Sequence, residues 1–228
     1  RKVMSDIRKK NDLLTGAVMD DPVIHARTKG VGVLTKADVM DYAAVGPTAR
    51  ASGWDIDVRR DDPYAAYDMV DWKVITAPEG DVFAKAQVRL LENYESIKII
   101  EQCLDGLEKE PEGHTEVKVK EIPEGMGTGR AEAPRGEVFH FVKTDGSNSP
   151  VRHKIRAPSY VNIATFRKSC VGQTISDATI SLAAVDPCYC CTERMAFAYD
   201  WQTGQRIYDG NQLVELSRQK TDALRKIM

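Results

Sequence analysis

No stretch of this sequence stays apolar for the roughly 18–20 residues that a membrane-spanning helix requires, and Thr179–Val185, among the longest apolar runs, falls far short. Any attachment to a membrane therefore has to come through partners. No basic block stands out either. The chain carries 32 Lys and Arg against 34 Asp and Glu, a net charge of -2, which argues against nucleic acid as a partner. Internal repeats and long low-complexity segments are lacking. No signal peptide precedes Arg1, which opens directly into a charged amphipathic pattern, so the chain reads as starting inside a longer parent or downstream of a cleavage. The four histidines, His25, His114, His140 and His153, stand singly and offer no second ligand pair for a zinc site. What remains is an ordinary composition, 42% hydrophobic and 29% charged, long enough to bury a core. We read residues 1–228 as a single domain.

The periodicity predicts a mainly helical core with small β insertions, an α+β class. Residues 1–19 read as a helix, and Asp21-Pro22 starts a second, short one. Lys29–Leu34 looks like a turn into a short strand, and Thr35 with Asp38 forms a capping-box pattern for a helix through Tyr42. Gly46-Pro47 and Ala51-Ser52-Gly53 read as loops. The strongest helix spans Gly80–Leu107, where Phe83, Leu90, Tyr94, Ile97 and Leu104 recur at three- and four-residue spacings as in the spine of a bundle. Glu108–Gly129 is charged and rich in Gly and Pro, a loop. Val138–Lys143 and Val151–Ile155 flank a turn as a hairpin, and helices resume at 161–170 and 175–184. Residues 195–199 and 205–208 suggest a second small hairpin, followed by a closing helix over 211–227.

Cysteine supplies the unusual feature. Five occur: Cys103, Cys170 and a tight group at Cys188, Cys190 and Cys191. An odd, clustered set is a poor disulfide framework and fits a reducing compartment. In Asp186-Pro187-Cys188-Tyr189-Cys190-Cys191-Thr192-Glu193-Arg194, two thiols separated by two residues can reach one metal across a tight turn. Thiolates are soft ligands suited to zinc, iron-sulfur clusters or a thiolate-rich nickel site. Alone, one such pair leaves structural zinc, a redox pair and incidental cysteines all open. A thioredoxin-like motif would follow a strand near the start of its fold, whereas this one follows a helix near the end.

Asp186-Pro187-Cys188-x-x-Cys191-x-x-Arg194 resembles the C-terminal metal motif of nickel-iron hydrogenase large subunits, in the membrane-bound, energy-converting branch where Arg replaces the His of the uptake enzymes. Further stretches are similar to ones shared by that branch and the quinone-site subunit of respiratory complex I: Thr28–Leu34, Gly46-Pro47, Arg50–Gly53, Gly80-Asp81-Val82, Glu132-Ala133-Pro134-Arg135-Gly136 and Lys154-Ile155-Arg156-x-Pro158-Ser159. The cysteine pair and His140 favour the hydrogenase side. Lys85 departs from the pattern, since relatives carry Arg there.

The resemblance implies a nickel-iron centre with carbon monoxide and cyanide on iron. Cys188 would be a terminal nickel ligand and Cys191 a bridge between the metals. Arg135 would stand over the open face, donating to one cyanide and pairing with Asp186. Ser159 would bond the other cyanide, and Pro134 would help wall the ligands from water. The reaction would be heterolytic cleavage or formation of hydrogen, with the Cys188 thiolate or Arg135 exchanging the proton. The family's other thiolates lie in an Arg-x-Cys-Gly-x-Cys motif that is lacking here, so an amino-terminal part of the large subunit is an implied partner. Others are a small subunit with an iron-sulfur cluster, ferredoxin, membrane subunits that hold the assembly on the cytoplasmic face of the membrane, and a maturation protease. Such a protease would cut at Arg194–Met195, making 195–228 a C-terminal extension that is removed or retained. Two alternatives stand beside this: a metal-free, complex-I-like quinone subunit and a zinc-binding structural module. Residue by residue the plainer readings are a surface ion pair for Arg135, a helix cap for Ser159, a turn or cap for Asp186, a sheet histidine for His140 and packing for Cys103 and Cys170. Cys190 is expected to point away from the metals.

Overall fold

A computed structural model describes residues 1–119, 121–192, 197–200 and 202–226, which divide into two compact units, Arg1–Pro187 and Cys188–Met228. The class is α+β, with helices carrying the core and small antiparallel sheets added to them.

In the first unit the long helix α6 (Val82–Leu107) is the spine. Its start is set by Asp81, whose carboxylate accepts from the Ala84 N–H at 2.7 Å and from the Gly30 N–H at 2.8 Å. Helix α1 (Lys2–Asp20) runs along α6 through polar stitches. The buried Asn11 donates to the Leu90 carbonyl and accepts from Asn93, and Tyr94 donates to Asp12. Asp21 caps α2 (Pro22–Thr28) by accepting from Val23 and Ile24. The expected box at Thr35 and Asp38 opens α3 (Lys36–Asp41).

Lys29–Leu34 is no strand: positive φ at Gly30 and Gly32 bends it, and Leu34 N–H reaches across to the Gly80 carbonyl instead of joining a ladder. Gly46-Pro47 opens a short helix, α4 (Gly46–Arg50), with proline in its first turn, where a missing N–H costs nothing. Helix α5 (Val58–Asp61) follows. Leu34, Val39, Ala44 and Ala49 form one core cluster, with Trp54 and Ile56 against it; Ala51, Ala77, Ala84 and Val88 form another.

The sheet holds a strand that hydrophobic alternation does not reveal. β1 (Glu124–Ala133) pairs with β2 (Gly136–Asp145) from Glu124↔Asp145 to Ala133↔Gly136, and β2 pairs with β3 (Arg152–Arg156). Gly125, Gly127 and Gly129 leave β1 without side chains along one face, so its amino-terminal half reads as loop. Pairing with β2, not burial, makes it a strand. The helix expected over 161–170 is broken into α7 (Pro158–Asn162), a 3-10 turn (Ile163–Thr165) and α8 (Phe166–Cys170); α9 (Ile175–Val185) has a capping box at Thr174 and Asp177.

The second unit holds α10 (Tyr189–Thr192), the antiparallel pair β4 (Ala198–Tyr199) and β5 (Arg206–Tyr208), and α11 (Gly210–Arg225), opened by a capping box at Asp209 and Gln212. Residues 193–196, and with them the Arg194–Met195 bond considered for processing, lie outside the described residues. No helix among the described residues is long and apolar enough to cross a membrane.

Candidate functional site

The Pro134-Arg135 turn between β1 and β2 is pressed against Val45-Gly46 at the start of α4. Gly46 has φ +65, and a Cβ there would sit 2.4 Å from Gly136 Cα; a Cβ on Gly136, at φ +126, would sit 2.6 Å from Val45 Cγ2 and 2.7 Å from Gly46 N. Two glycines are required because backbone meets backbone. Asn162, the last residue of α7 and fully buried, clamps the contact: its Oδ1 accepts from Val45 N–H at 2.9 Å, and its Nδ2 donates to the Val45 carbonyl at 3.1 Å and the Arg135 carbonyl at 3.0 Å. Both amide hydrogens and the amide oxygen are engaged. Sequence reasoning missed Asn162, because nothing local marks a helical asparagine as a long-range clamp.

Arg135 projects its guanidinium to the far end of α9. Nε donates to the Asp186 carbonyl at 2.7 Å and Nη2 to Asp186 Oδ1 at 2.9 Å. Asp186 is the C-cap of α9 in left-handed backbone, φ 57 and ψ 61, which costs a non-glycine residue about 1–2 kcal/mol; aspartate tolerates it better than most. The two-point fork from Arg135 offsets that strain and orients the guanidinium in return. Arg135 Nη1 makes no hydrogen bond to the described residues, so one edge of the fork is uncommitted. Pro134 lines a cavity of about 420 Å³ shared with Asp186, Arg50, Arg89, Glu92 and Glu132. Ser159, in the first turn of α7, is 1% exposed. The fold thus brings Arg135 and Asp186 into contact and sets Pro134 beside Asp186 on one cavity.

Beneath this turn lies a buried charge network. Arg50, 2% exposed, donates to Glu92 at 2.7 Å, to Glu132 at 2.8 Å and to the Ile56 carbonyl, with Asp57 3.2 Å away. Burial disfavours its charge, yet attraction from Glu92, Glu132 and Asp57 outweighs burial and lifts its pKa above the ordinary arginine value. Burial raises the Glu132 pKa despite Arg50. Arg89 lines the same cavity, and burial draws its pKa down, opposed by Asp186 and Glu92. Its Nη1 donates to the Lys85 carbonyl, while Nε and Nη2 find no partner among the described residues. Lys85 donates from Nζ to the Gly32 carbonyl at 3.0 Å and the Gly80 carbonyl at 2.9 Å; burial lowers its pKa to about 8. A charged Arg50 amid small apolar neighbours was the available sequence signal for this network.

In the second unit, α10 places the cysteines. Cys191 N–H donates to the Cys188 carbonyl at 3.0 Å, and this single turn brings the two sulfurs to 2.9 Å. Two thiolates at about 2.3 Å from one ion stand roughly 3.3–3.8 Å apart, so a small χ1 opening suffices for them to share a metal. The donor set fits a soft metal but is half of a four-thiolate set. Among the described residues no group of three or more His, Cys, Asp or Glu side chains gathers to hold an ion. Cys190 is exposed.

The chain is 42% identical over 175 residues to the carbon monoxide-induced hydrogenase of Rhodospirillum rubrum, covering 76% of this chain and 48% of that protein. It is 35% identical over 190 residues to an NADH-quinone oxidoreductase subunit of Herpetosiphon aurantiacus, covering 82% of this chain and 51% of the relative. Among solved structures, a chain of the membrane-bound sulfane sulfur reductase, an archaeal respiratory membrane complex, superposes with a TM-score of 0.77 at 28% identity over 82% of this chain and 52% of that one. The chain spans about half the length of the curated relatives it matches. The family profile described as respiratory-chain NADH dehydrogenase, 49 Kd subunit, matches residues 1–194, which takes in both the Arg135–Asp186 fork and the cysteine turn: the chain belongs to that family of oxidoreductase subunits.

Proposed function

We propose that this chain is the C-terminal part of the large subunit of a nickel-iron hydrogenase within a complex-I-like assembly at a membrane. The observation that carries the reading is the α10 turn, which sets Cys188 and Cys191 Sγ atoms 2.9 Å apart directly after Asp186-Pro187 in the chain. Cys188 and Cys191 would hold the nickel-iron centre, whose iron would carry carbon monoxide and cyanide, together with two thiolates from an amino-terminal part of the subunit. When bound, that centre supplies reversible two-electron splitting of hydrogen.

The chain's own residues do the rest. A guanidinium keeps its proton and is a poor base, so the Cys188 sulfur is the better proton acceptor and Arg135 the fixed donor. Asp186 holds two of its donors still, leaving the Nη1 edge for an anionic ligand such as a cyanide nitrogen. Buried Ser159 offers a second polar contact, and Pro134 contributes a wall without an N–H of its own. Electrons would pass to an iron-sulfur cluster on a small subunit and exchange with ferredoxin, and membrane subunits would anchor the assembly at the cytoplasmic face. The membrane-bound respiratory complex found as a structural neighbour supports attachment through membrane subunits.

A second reading, a metal-free complex-I-like quinone subunit, is favoured by the NADH-quinone oxidoreductase relative. Metal analysis of the native complex separates the two: nickel with iron supports the hydrogenase, and neither metal supports the quinone subunit. In the hydrogenase, Cys188→Ser or Cys191→Ser abolishes nickel retention and hydrogen turnover, whereas Cys190→Ser is tolerated. Full activity in Cys188→Ser overturns the assignment.

A further inference from the structure

His140 and His153, which stand singly in the sequence, meet in the sheet. The register pairs His140 with Ile155 and His153 with Val142, so the two histidines are diagonal neighbours on one face of β2 and β3. His140 Nδ1 and His153 Nε2 lie 2.9 Å apart, with ring centroids separated by 5.1 Å and planes inclined by 37°. As a hydrogen bond this needs one neutral ring to donate and the other to accept. The same separation has a second meaning. Imidazole nitrogens bind first-row ions at about 2.0–2.1 Å, so two on one ion stand about 2.9 Å apart at right angles and about 3.3 Å apart at the tetrahedral angle of zinc. The sheet therefore holds the two nitrogens at the right-angle spacing and a few tenths of an ångström inside the tetrahedral one, which a small ring rotation opens, with the other nitrogen of each ring on its far side to carry the proton.

The surroundings suit an ion that keeps water. Across β1 the residues on this face are Gly129, opposite His140, and Gly127, opposite Val142. A Cβ at either glycine would meet nothing within 4 Å, so the space beside the pair is clear of side chains. Both histidines sit on paired strands, which fixes their backbones and lowers the ordering cost of chelation.

We propose that His140 and His153 form a two-imidazole clip for a divalent first-row transition ion of the zinc or nickel class, with water completing its coordination. The proton shared between the rings moves to the outer nitrogen of the ring that donated it, so both imidazoles bind the ion as neutral ligands. The proposal does not depend on the reading of the cysteine turn.

Zinc titrated into the full chain labelled with ¹⁵N-histidine tests this, followed by imidazole nitrogen resonances so that zinc taken by cysteine is not counted. His140 Nδ1 and His153 Nε2 are expected to shift together at a common midpoint while His25 and His114 stay put. His153→Gln should move the His140 response to about 10²-fold higher zinc, and His140→Gln should do the same to His153, the scale of losing one arm of a chelate. Both residues lie on the sheet surface, so glutamine is accommodated, and circular dichroism checks the fold. The proposal is overturned if neither resonance responds at zinc levels that saturate the cysteines, or if either histidine responds equally without the other.

Discussion

Replacing Asn162 by alanine removes the clamp between α7, α4 and the Arg135 turn, and its cost follows from the partners left behind. Three backbone groups lose their partner: the buried Val45 N–H and carbonyl, and the part-buried Arg135 carbonyl. An unsatisfied buried group costs about 1–3 kcal/mol, the donor at the high end and the carbonyls, with two lone pairs each, at the low end. Asn162 is 0% exposed, so bulk water does not reach the gap. The sum is about 3–5 kcal/mol, large for one substitution. Urea unfolding of the chain is followed by circular dichroism and by tryptophan fluorescence, to which Trp54, packed against the Leu34–Ala49 cluster, contributes a signal from the first unit. With a slope of roughly 2–3 kcal/mol/M, the midpoint should fall by about 1–2.5 M at unchanged slope. Asn162→Asp should do no better at neutral pH, because a carboxylate oxygen would then face two carbonyl oxygens. An alanine variant within about 1 kcal/mol of the parent would refute the claim that this amide holds the turn in place.

Gly136→Ala drives a Cβ to within 2.6 Å of Val45 Cγ2 at φ +126 and should cost about 3 kcal/mol or more, whereas Gly30→Ala, at φ +72 with nothing within 4 Å, should cost only about 1 kcal/mol; thermal melts of the two rank them. Arg135→Lys keeps the charge but loses the fork onto Asp186; metal content of the native complex should stay near normal while hydrogen turnover falls by about 10²-fold, and a normal rate would reduce Arg135 to an ordinary ion pair. Lys85 gives a pH signature. Its pKa is lowered from 10.5 to about 8, so between those pH values the unfolded chain holds a proton that the folded chain has released, and stability contributed by this site rises with pH. The penalty present below pH 8 is about 3 kcal/mol. Against Lys85→Met, the parent should gain stability as pH goes from 7 to 10; equal pH slopes in urea unfolding would disprove it.

What lies close in sequence was legible. Thr35 with Asp38 and Asp21 before Pro22 specify their helix starts locally, because a cap needs only its own next three residues. The apolar stripe of α6 and the spacing of Cys188 and Cys191 belong to the same class, and a single helical turn suffices to bring those sulfurs together. The resemblance in Glu132–Gly136 and in the cysteine motif led to the family for the same reason. Tertiary structure decided the rest. β1 is a strand because β2 lies beside it, since Gly125, Gly127 and Gly129 carry no side chains to show alternation. Lys29–Leu34 is not a strand, because left-handed backbone at Gly30 and Gly32 breaks the extension, and its bonds to the neighbouring segment, Leu34 N–H to the Gly80 carbonyl and Val82 N–H to the Val31 carbonyl, do not continue into a ladder. Asn162 looks like any helical asparagine until folding brings Val45 and Arg135 to it, and Arg50 becomes buried only because Glu92, Glu132 and Asp57 converge from separate elements. His140 and His153 stand apart in the chain and become neighbours through strand register alone. A hydrogen bond acts over about 3 Å, and chain proximity supplies that distance only within a turn or two; everywhere else the fold must supply it.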